Sequence, residues 1–278
     1  MYVNPTRSCG ACHACTSGTP QKCDYWTFAC YFGFNKNSLE MYARYPQGGF
    51  CEYMLAPQSA LVPLPDNLEF PNATRLGYLG TAYSGVLKLG PLAGKTLIVN
   101  GATGTLGVGI TLIALALGIS RVFAIARGIP LLERLQQLAR GRIEIFSNVE
   151  AGTTDWVKSR TAGIGADFMI DSLGAVASLE SFKDAMLGVA RGGRIVNVGG
   201  TSGALPLDVK WLMDESRELI GSAWFTTAEG MELVDMIRYG ALDISVLHPK
   251  SWPFEQINEA INGVTSGDGG FTSYLVEI

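Results

Sequence analysis

The chain has 278 residues, 47% of them hydrophobic and 17% charged, with 34 glycines and a formal net charge of −4. This length suits two ordinary domains or one large one. The mildly acidic balance, without Lys/Arg tracts, leaves no footprint for nucleic acid or anionic lipid, and neither is expected as a partner.

The opening "MYVNPTRSC" lacks a basic stretch followed by an apolar core, so no signal peptide is read there. The most membrane-like run, Gly107 to Ala126, has an unbroken apolar part below the roughly 18–20 residues that a bilayer needs, and Arg121 interrupts it. A buried helix followed by a buried strand accounts for it. No membrane span is expected, and the expected compartment is the cytoplasm.

Residues 1–77 are rich in Cys, Gly, Pro and aromatics, with short strand-like pieces such as "FCEYMLA" and no long helical period. An irregular, largely β region is expected. All 6 cysteines lie here, four of them as Cys9-x2-Cys12-x2-Cys15-x7-Cys23. Four thiolates on one tight loop suit tetrahedral zinc, and a closed four-sulfur shell leaves no position for water or substrate. The expected metal is therefore one structural zinc. A local disulfide set is the alternative, disfavoured by the chain's size and the lack of an export signal.

No catalytic zinc is expected from the remaining donors. His13 reads as a solvent-facing residue of the loop, and His248 has no cysteine or carboxylate at ligand spacing. Cys30 and Cys51 read as small buried hydrophobes. Glu52 and Asp171 have the right chemistry, but nothing singles them out.

Residues 78–224 alternate short β-rich runs ("TLIVN", "RVFAIA", "RIEIFS", "ADFMID", "RIVNVG", "ELIGSAW") with helical patterns such as "PLLERLQQLA" and "LESFKDAMLGVA". The expected fold is α/β, a doubly wound parallel sheet covered on both faces. Strand "TLIVN" runs into "GATGTLG", which opens an apolar helix. Gly101 permits the tight turn, Gly104 lets a pyrophosphate approach the backbone, and Gly107 lets the helix pack on the sheet. Thr103 belongs to the same loop, and the free N–H groups of Thr105 and Leu106 face the phosphates at the positive end of the helix dipole. The next strand ends at Arg127, where an NAD-binding unit usually carries an acidic residue for the ribose hydroxyl. NADP(H) is therefore favoured over NAD(H).

Residues 225–278 carry two helix-like segments, "AEGMELVDMIRYG" and "FEQINEAINGV", then the turn "TSGDGG" and a strand-like "YLVEI". That strand has no obvious partner in the α/β region, so a return to the first domain is expected.

Taken together, the four-cysteine lobe, "GGFCEYMLAP", "PLPDNL", "LGTAYSGVLKLGPLAGKTLIVNGATGTLG", "GIGADFMIDSLG", "RGGRIVNVGG" and "INEAINGVTSGDGG" resemble the zinc-containing medium-chain alcohol dehydrogenases and their quinone-reductase relatives. The resemblance implies a chaperonin-10-like barrel joined to a Rossmann domain, with coenzyme and substrate in the cleft between them. By position it implies that Gly199 and Gly200 lie near the nicotinamide riboside. It also implies that Ser222 and Trp224 in the sixth strand offer backbone groups to the carboxamide, and that Thr81 sits beside the ring. A homo-dimer or tetramer through the edge strand "ELIGSAW" is implied as well.

The sequence departs from that family where the catalytic zinc would sit. Met1 falls just before the cysteine lobe, as though the chain began inside the barrel, and the third catalytic ligand matches Gly77 or its neighbours. The expected activity is NAD(P)-dependent hydride transfer between nicotinamide and a small-molecule alcohol or carbonyl, with the catalytic ligands missing. Two alternatives stay open: metal-free quinone or enone reduction, and coenzyme binding without turnover.

Overall fold

The computed structural model describes residues 1–29, 32–34, 36–149, 152–264 and 269–278. Its centre is a six-stranded parallel sheet. The strands are β1 (Thr96–Asn100), β2 (Arg121–Ala126), β3 (Ile143–Ser147), β4 (Ala166–Asp171), β5 (Val189–Asn197) and β6 (Glu218–Gly221). Their spatial order is β3-β2-β1-β4-β5-β6, so the chain reverses direction between β1 and β4. That is the order of a dinucleotide-binding fold, whose ligand crevice lies at the carboxyl ends of the strands at this reversal.

The strands are apolar along their length because both faces are covered. Leu97 and Val99 of β1 point into one core with Val122, Ala124 and Ile170, whereas Ile98 points into the other with Phe123, Ile125 and Met169. Every one of these side chains is fully enclosed, each contributing about 1.5–3 kcal/mol of burial for the larger ones.

The first face is covered by α1 (Leu76–Leu87) and α2 (Thr105–Ala116), which pack on each other. Between β2 and β3 runs α3 (Ile129–Gln137). The second face carries α4 (Thr153–Arg160) and α5 (Leu179–Leu187), which supply Val157, Phe182, Ala185 and Met186. After β6 comes α6 (Thr227–Arg238), opened by a capping box in which Thr226 and Glu229 bond each other's backbone N–H groups.

Helix α1 gave no signal in the sequence, and the expected boundary after residue 77 falls inside it. Its segment carries Gly77, Gly80 and Gly85, which weaken helix propensity, and it is buried nearly all round, so no amphipathic period shows. The glycines serve close packing. A Cβ at Gly80 would lie 2.5 Å from the Phe225 ring, and one at Gly85 would lie 2.7 Å from Val198. Helices α4, Ser38–Arg44 and Val209–Asp214 were likewise not anticipated.

The first 77 residues fold as short pieces. Tyr2–Val3 pairs with Leu61–Val62, and Thr6–Arg7, Thr27–Phe28 and Phe32–Gly33 form a three-stranded sheet. The stretch "FCEYMLA" is not a strand: Phe50, Tyr53 and Leu55 are exposed, and no neighbouring strand among the described residues takes up its backbone hydrogen bonds.

The final strand β8 (Thr272–Glu277) pairs in parallel with β7 (His248–Pro253), an element that the sequence reading did not contain, because two prolines in six residues argue against a strand. Helix α7 (Ile257–Val264) connects them. The two do not join the six-stranded sheet. The segment after residue 225 touches the first region elsewhere, with Phe225 stacked on Tyr2 and its carbonyl accepting from the Asn4 side chain.

Candidate coenzyme site and metal centre

The glycine loop lies at the carboxyl end of β1, at the reversal of strand order. Gly101 has φ +82, the left-handed region that glycine occupies without strain, and both its amide and that of Ala102 bond the Ile125 carbonyl of β2. A Cβ at Gly107 would lie 2.2 Å from the Gly101 carbonyl oxygen, so only glycine lets the first turn of α2 sit this close to the loop. Gly104 caps the helix with extended backbone and no side-chain acceptor. The amides of Thr105 and Leu106 are the first of the helix and have no intrahelical acceptor, which leaves them for an anion.

Behind this loop lies a feature that the sequence reading treated only as a turn. The Gly270 amide donates to the Thr103 carbonyl at 2.7 Å, and a Cβ at Gly270 would lie 2.1 Å from the Gly104 carbonyl oxygen. Buried Arg75 bonds the carbonyls of Gly270 and Thr272. A cavity of about 400 Å³ opens beside Arg75, Tyr78, Gly104, Thr105 and Tyr274. The Gly-Gly pair in "GDGGF" was the available sequence signal for so close an approach.

The other expected coenzyme residues gather along the same edge of the sheet. Arg127 directly follows β2 and is exposed, with no side-chain partner among the described residues. Gly199 and Gly200 lie just past β5, which ends at Asn197. The Gly199 amide bonds Asp171 and Asn197, and the Gly200 amide bonds Leu173. Asp171 itself is fully buried at the end of β4, accepting from Asn100 Nδ2 at 2.8 Å. Burial pushes its carboxyl up to about 6, against the opposing pull of that amide.

Thr81 is buried on α1, its hydroxyl turned back to the Gly77 carbonyl. Ser222 and Trp224 are not in the sixth strand, which ends at Gly221. The Ser222 amide bonds the Asn197 carbonyl and its hydroxyl accepts from Lys88, while Trp224 has φ +59 and swings its indole into the first region, donating to Asn4 Oδ1 at 3.0 Å.

This placement of Trp224 bears on the position matched to a catalytic zinc ligand. A Cβ at Gly77 would meet the Tyr2 hydroxyl at 3.2 Å and the Trp224 ring at 3.4 Å. Glycine has no donor atom, and the space for a longer side chain is taken, so the residues here do not fit a catalytic zinc. His13, His248 and Glu52 are exposed and join no cluster of metal-ligand atoms among the described residues, Cys51 donates its Sγ–H to the Gly48 carbonyl, and Cys30 lies outside the described residues.

The four-cysteine loop is a different matter. The sulfurs of Cys9, Cys12, Cys15 and Cys23 all lie within 4.8 Å of one another, the only such ligand cluster among the described residues. Adjacent pairs are 3.6–3.9 Å apart. Disulfides would need about 2.05 Å, whereas four thiolates at ~2.3 Å from one tetrahedral zinc stand ~3.8 Å from each other. The donor set fits zinc. Amides of Ala11 and Cys12 pull the Cys9 thiol down to about 6, and burial pushes Cys23 up to about 12.

Residues 1–66 match the alcohol dehydrogenase GroES-like domain, and residues 105–238 match the zinc-binding dehydrogenase family. The chain belongs to the zinc-containing medium-chain alcohol dehydrogenase and quinone reductase superfamily. Among members of this superfamily it is 28% identical to a human quinone oxidoreductase over 80% of this chain and 67% of that protein. It is 26% identical to an alcohol dehydrogenase of Geobacillus stearothermophilus over 94% of this chain and 70% of that protein. The solved structure of alcohol dehydrogenase TADH from Thermus sp. ATN1 shares the fold with a TM-score of 0.84 at 22% identity, over 99% of this chain and 76% of that one. The chain thus spans about two thirds to three quarters of the length of these superfamily relatives. Among the described residues no helix is long and apolar enough to cross a membrane.

Proposed function

We propose that the chain is an NAD(P)-dependent oxidoreductase that moves a hydride between nicotinamide and a small alcohol or carbonyl substrate. The observation that carries this reading is the glycine loop at the strand-order reversal, with Gly107 admitting the helix N-terminus and the Thr105 and Leu106 amides free for a pyrophosphate. The bound coenzyme supplies the hydride donor or acceptor. The chain's part is to hold the pyrophosphate at α2, to place the nicotinamide between Thr81 and the backbone at Gly199, Gly200 and Ser222, and to keep water out with Trp224 and Phe225. Arg127, exposed where a ribose would lie, supports NADP(H) over NAD(H). Cys9, Cys12, Cys15 and Cys23 hold one structural zinc that takes no part in the chemistry, because its shell is closed.

A second reading, metal-free reduction of quinones or enones, is favoured by the filled space at Gly77. An activated alkene accepts hydride at carbon without an alkoxide that needs a metal ion. The proposed domain division is a zinc-lobe region over residues 1–77, a coenzyme domain over 78–224 and a closing segment over 225–278, with the first boundary falling in the first turn of α1. The free edge of β6 is the proposed subunit contact for a homo-dimer or tetramer.

The test is coenzyme titration followed by turnover. Quenching of protein fluorescence by NADPH, with oxidation of NADPH by enones or aldehydes, is the expected result. Failure to bind either coenzyme overturns the reading, and binding without turnover across alcohols, aldehydes, enones and quinones reduces the chain to a coenzyme-binding pseudoenzyme.

A further inference from the structure

The sheet has a second end, opposite the coenzyme edge, where β4, β5 and β6 begin. A cavity of about 570 Å³ lies there, lined by Lys158, Ile164, Arg191, Trp211, Glu215 and Arg217 among others. Three of these are cations and one is an acid. Lys158 and Arg191 have no acidic partner among the described residues, and Glu215 stands 3.8 Å from Arg217, too far for a hydrogen bond.

Arg217 is the unusual member. Its side chain is only 8% exposed. Nη2 donates to the Val189 carbonyl at 2.7 Å and Nε to the Ala190 carbonyl at 3.2 Å, which pins the start of β6 to the start of β5. Nη1 is buried and donates to nothing. The Trp211 ring covers the guanidinium at 4.2 Å. That contact offsets charge, but it offers no lone pair in the guanidinium plane. A buried charged donor left unfilled is costly, and here it faces a cavity rather than packed core.

Trp211 sits on the six-residue helix Val209–Asp214, which contains no fully buried residue, and its half-buried indole packs against the second core beside Leu205 and Leu207. Displacing the indole is what gives an anion access to Arg217 Nη1 beside Lys158 and Arg191.

We propose that this cavity is an anion site for a phosphate group, held by Arg217, Arg191 and Lys158 beneath Trp211. Guanidinium pairs suit phosphate oxygens through parallel N–H bonds, and the surplus of positive charge in the lining suits a dianion better than a neutral ligand. The site is separate from the coenzyme loop, which lies at the other end of the strands, and it does not depend on the proposed hydride chemistry.

The experiment uses the zinc-loaded full chain, with inorganic phosphate as the probe and potassium chloride at matched ionic strength as the blank. Phosphate is expected to raise the melting temperature with rising concentration and to change tryptophan emission. In Trp211→Phe the emission change disappears. In the double variant K158Q/R191Q, which leaves the bonds of Arg217 to the backbone intact, the apparent affinity falls at least tenfold. Since the amides of the glycine loop also attract phosphate, an unaltered response in K158Q/R191Q puts the ion there and overturns the proposal. So does an emission change that survives in Trp211→Phe, or a melting response no greater than that to chloride.

Discussion

In the cysteine lobe three side chains, Cys23, Trp26 and Phe28, make up the buried cluster, and the strands around it are two residues long. In the coenzyme sheet five- and six-residue strands carry fully enclosed Leu, Ile, Val and Phe on both faces. At about 1.5–3 kcal/mol per large apolar side chain, the lobe's cluster cannot offset the ordering of more than twenty residues, whereas the sheet's can approach doing so. The lobe depends on what its sulfurs bind; the sheet depends on its own packing. Coordination chemistry can hold a segment whose sequence carries almost no hydrophobic pattern.

The largest effect expected from this contrast follows loss of the metal. Structural zinc contributes about 10–16 kcal/mol of folding free energy in small domains. Cys12→Ser, or treatment with a strong chelator, is expected to abolish the near-ultraviolet dichroism of Trp26 and its aromatic neighbours while the helical far-ultraviolet signal of the sheet domain persists. Parallel loss of both signals would mean that the two regions stand or fall as one unit.

Next in size is Gly107→Val, which forces a side chain against the Gly101 carbonyl. It should cost about 3 kcal/mol in denaturant-measured stability. NADPH affinity should fall a hundredfold or more while the zinc content is unchanged.

Asp171 probes the sheet domain from within. Its carboxyl is raised to about 6 by burial at the end of β4, from an ordinary value of 3.8. In the folded state it therefore keeps its proton where the unfolded chain has lost it. Its contribution is fully present below about pH 4 and is lost as pH rises through 6, a decline of roughly 3 kcal/mol. Asp171→Asn should flatten the stability profile between pH 4.5 and 7, as followed by urea unfolding; an unchanged slope would show that the carboxyl is ionised throughout.

The smallest effect belongs to Arg127. Replacement by Ala should weaken NADPH about tenfold, worth about 1.4 kcal/mol, and leave NADH nearly unchanged. Equal losses for the two coenzymes would remove the argument for NADP(H).

The two regions also differed in what their sequence disclosed. Strands β1 to β4 were readable to within a residue, because burial on both faces demands unbroken apolar runs, but "RIVNVG" missed the first half of β5, where Arg191, Gly192 and Gly193 interrupt the run, and "ELIGSAW" overran β6, which ends at Gly221. The four cysteines were readable because their spacing is that of a metal-ligand loop. Helix α1 was not, since its three glycines imitate a loop while in fact letting Phe225 and Val198 approach. Strand β7 hid behind Pro249 and Pro253, and "FCEYMLA" has strand composition but no neighbour to pair with. Trp224 shows the limit most clearly. Position assigned it a backbone role in the sixth strand, yet only coordinates reveal a left-handed turn that carries its ring to Asn4 and over Gly77.

The contact between Gly270 and the glycine loop has a consequence for synthesis. The loop's front is built from residues near 100, but its backing comes from Gly270, far later in the sequence. A ribosome that has released the whole six-stranded sheet has yet to release Gly270, so the loop gains its support only after the sheet that carries it is complete.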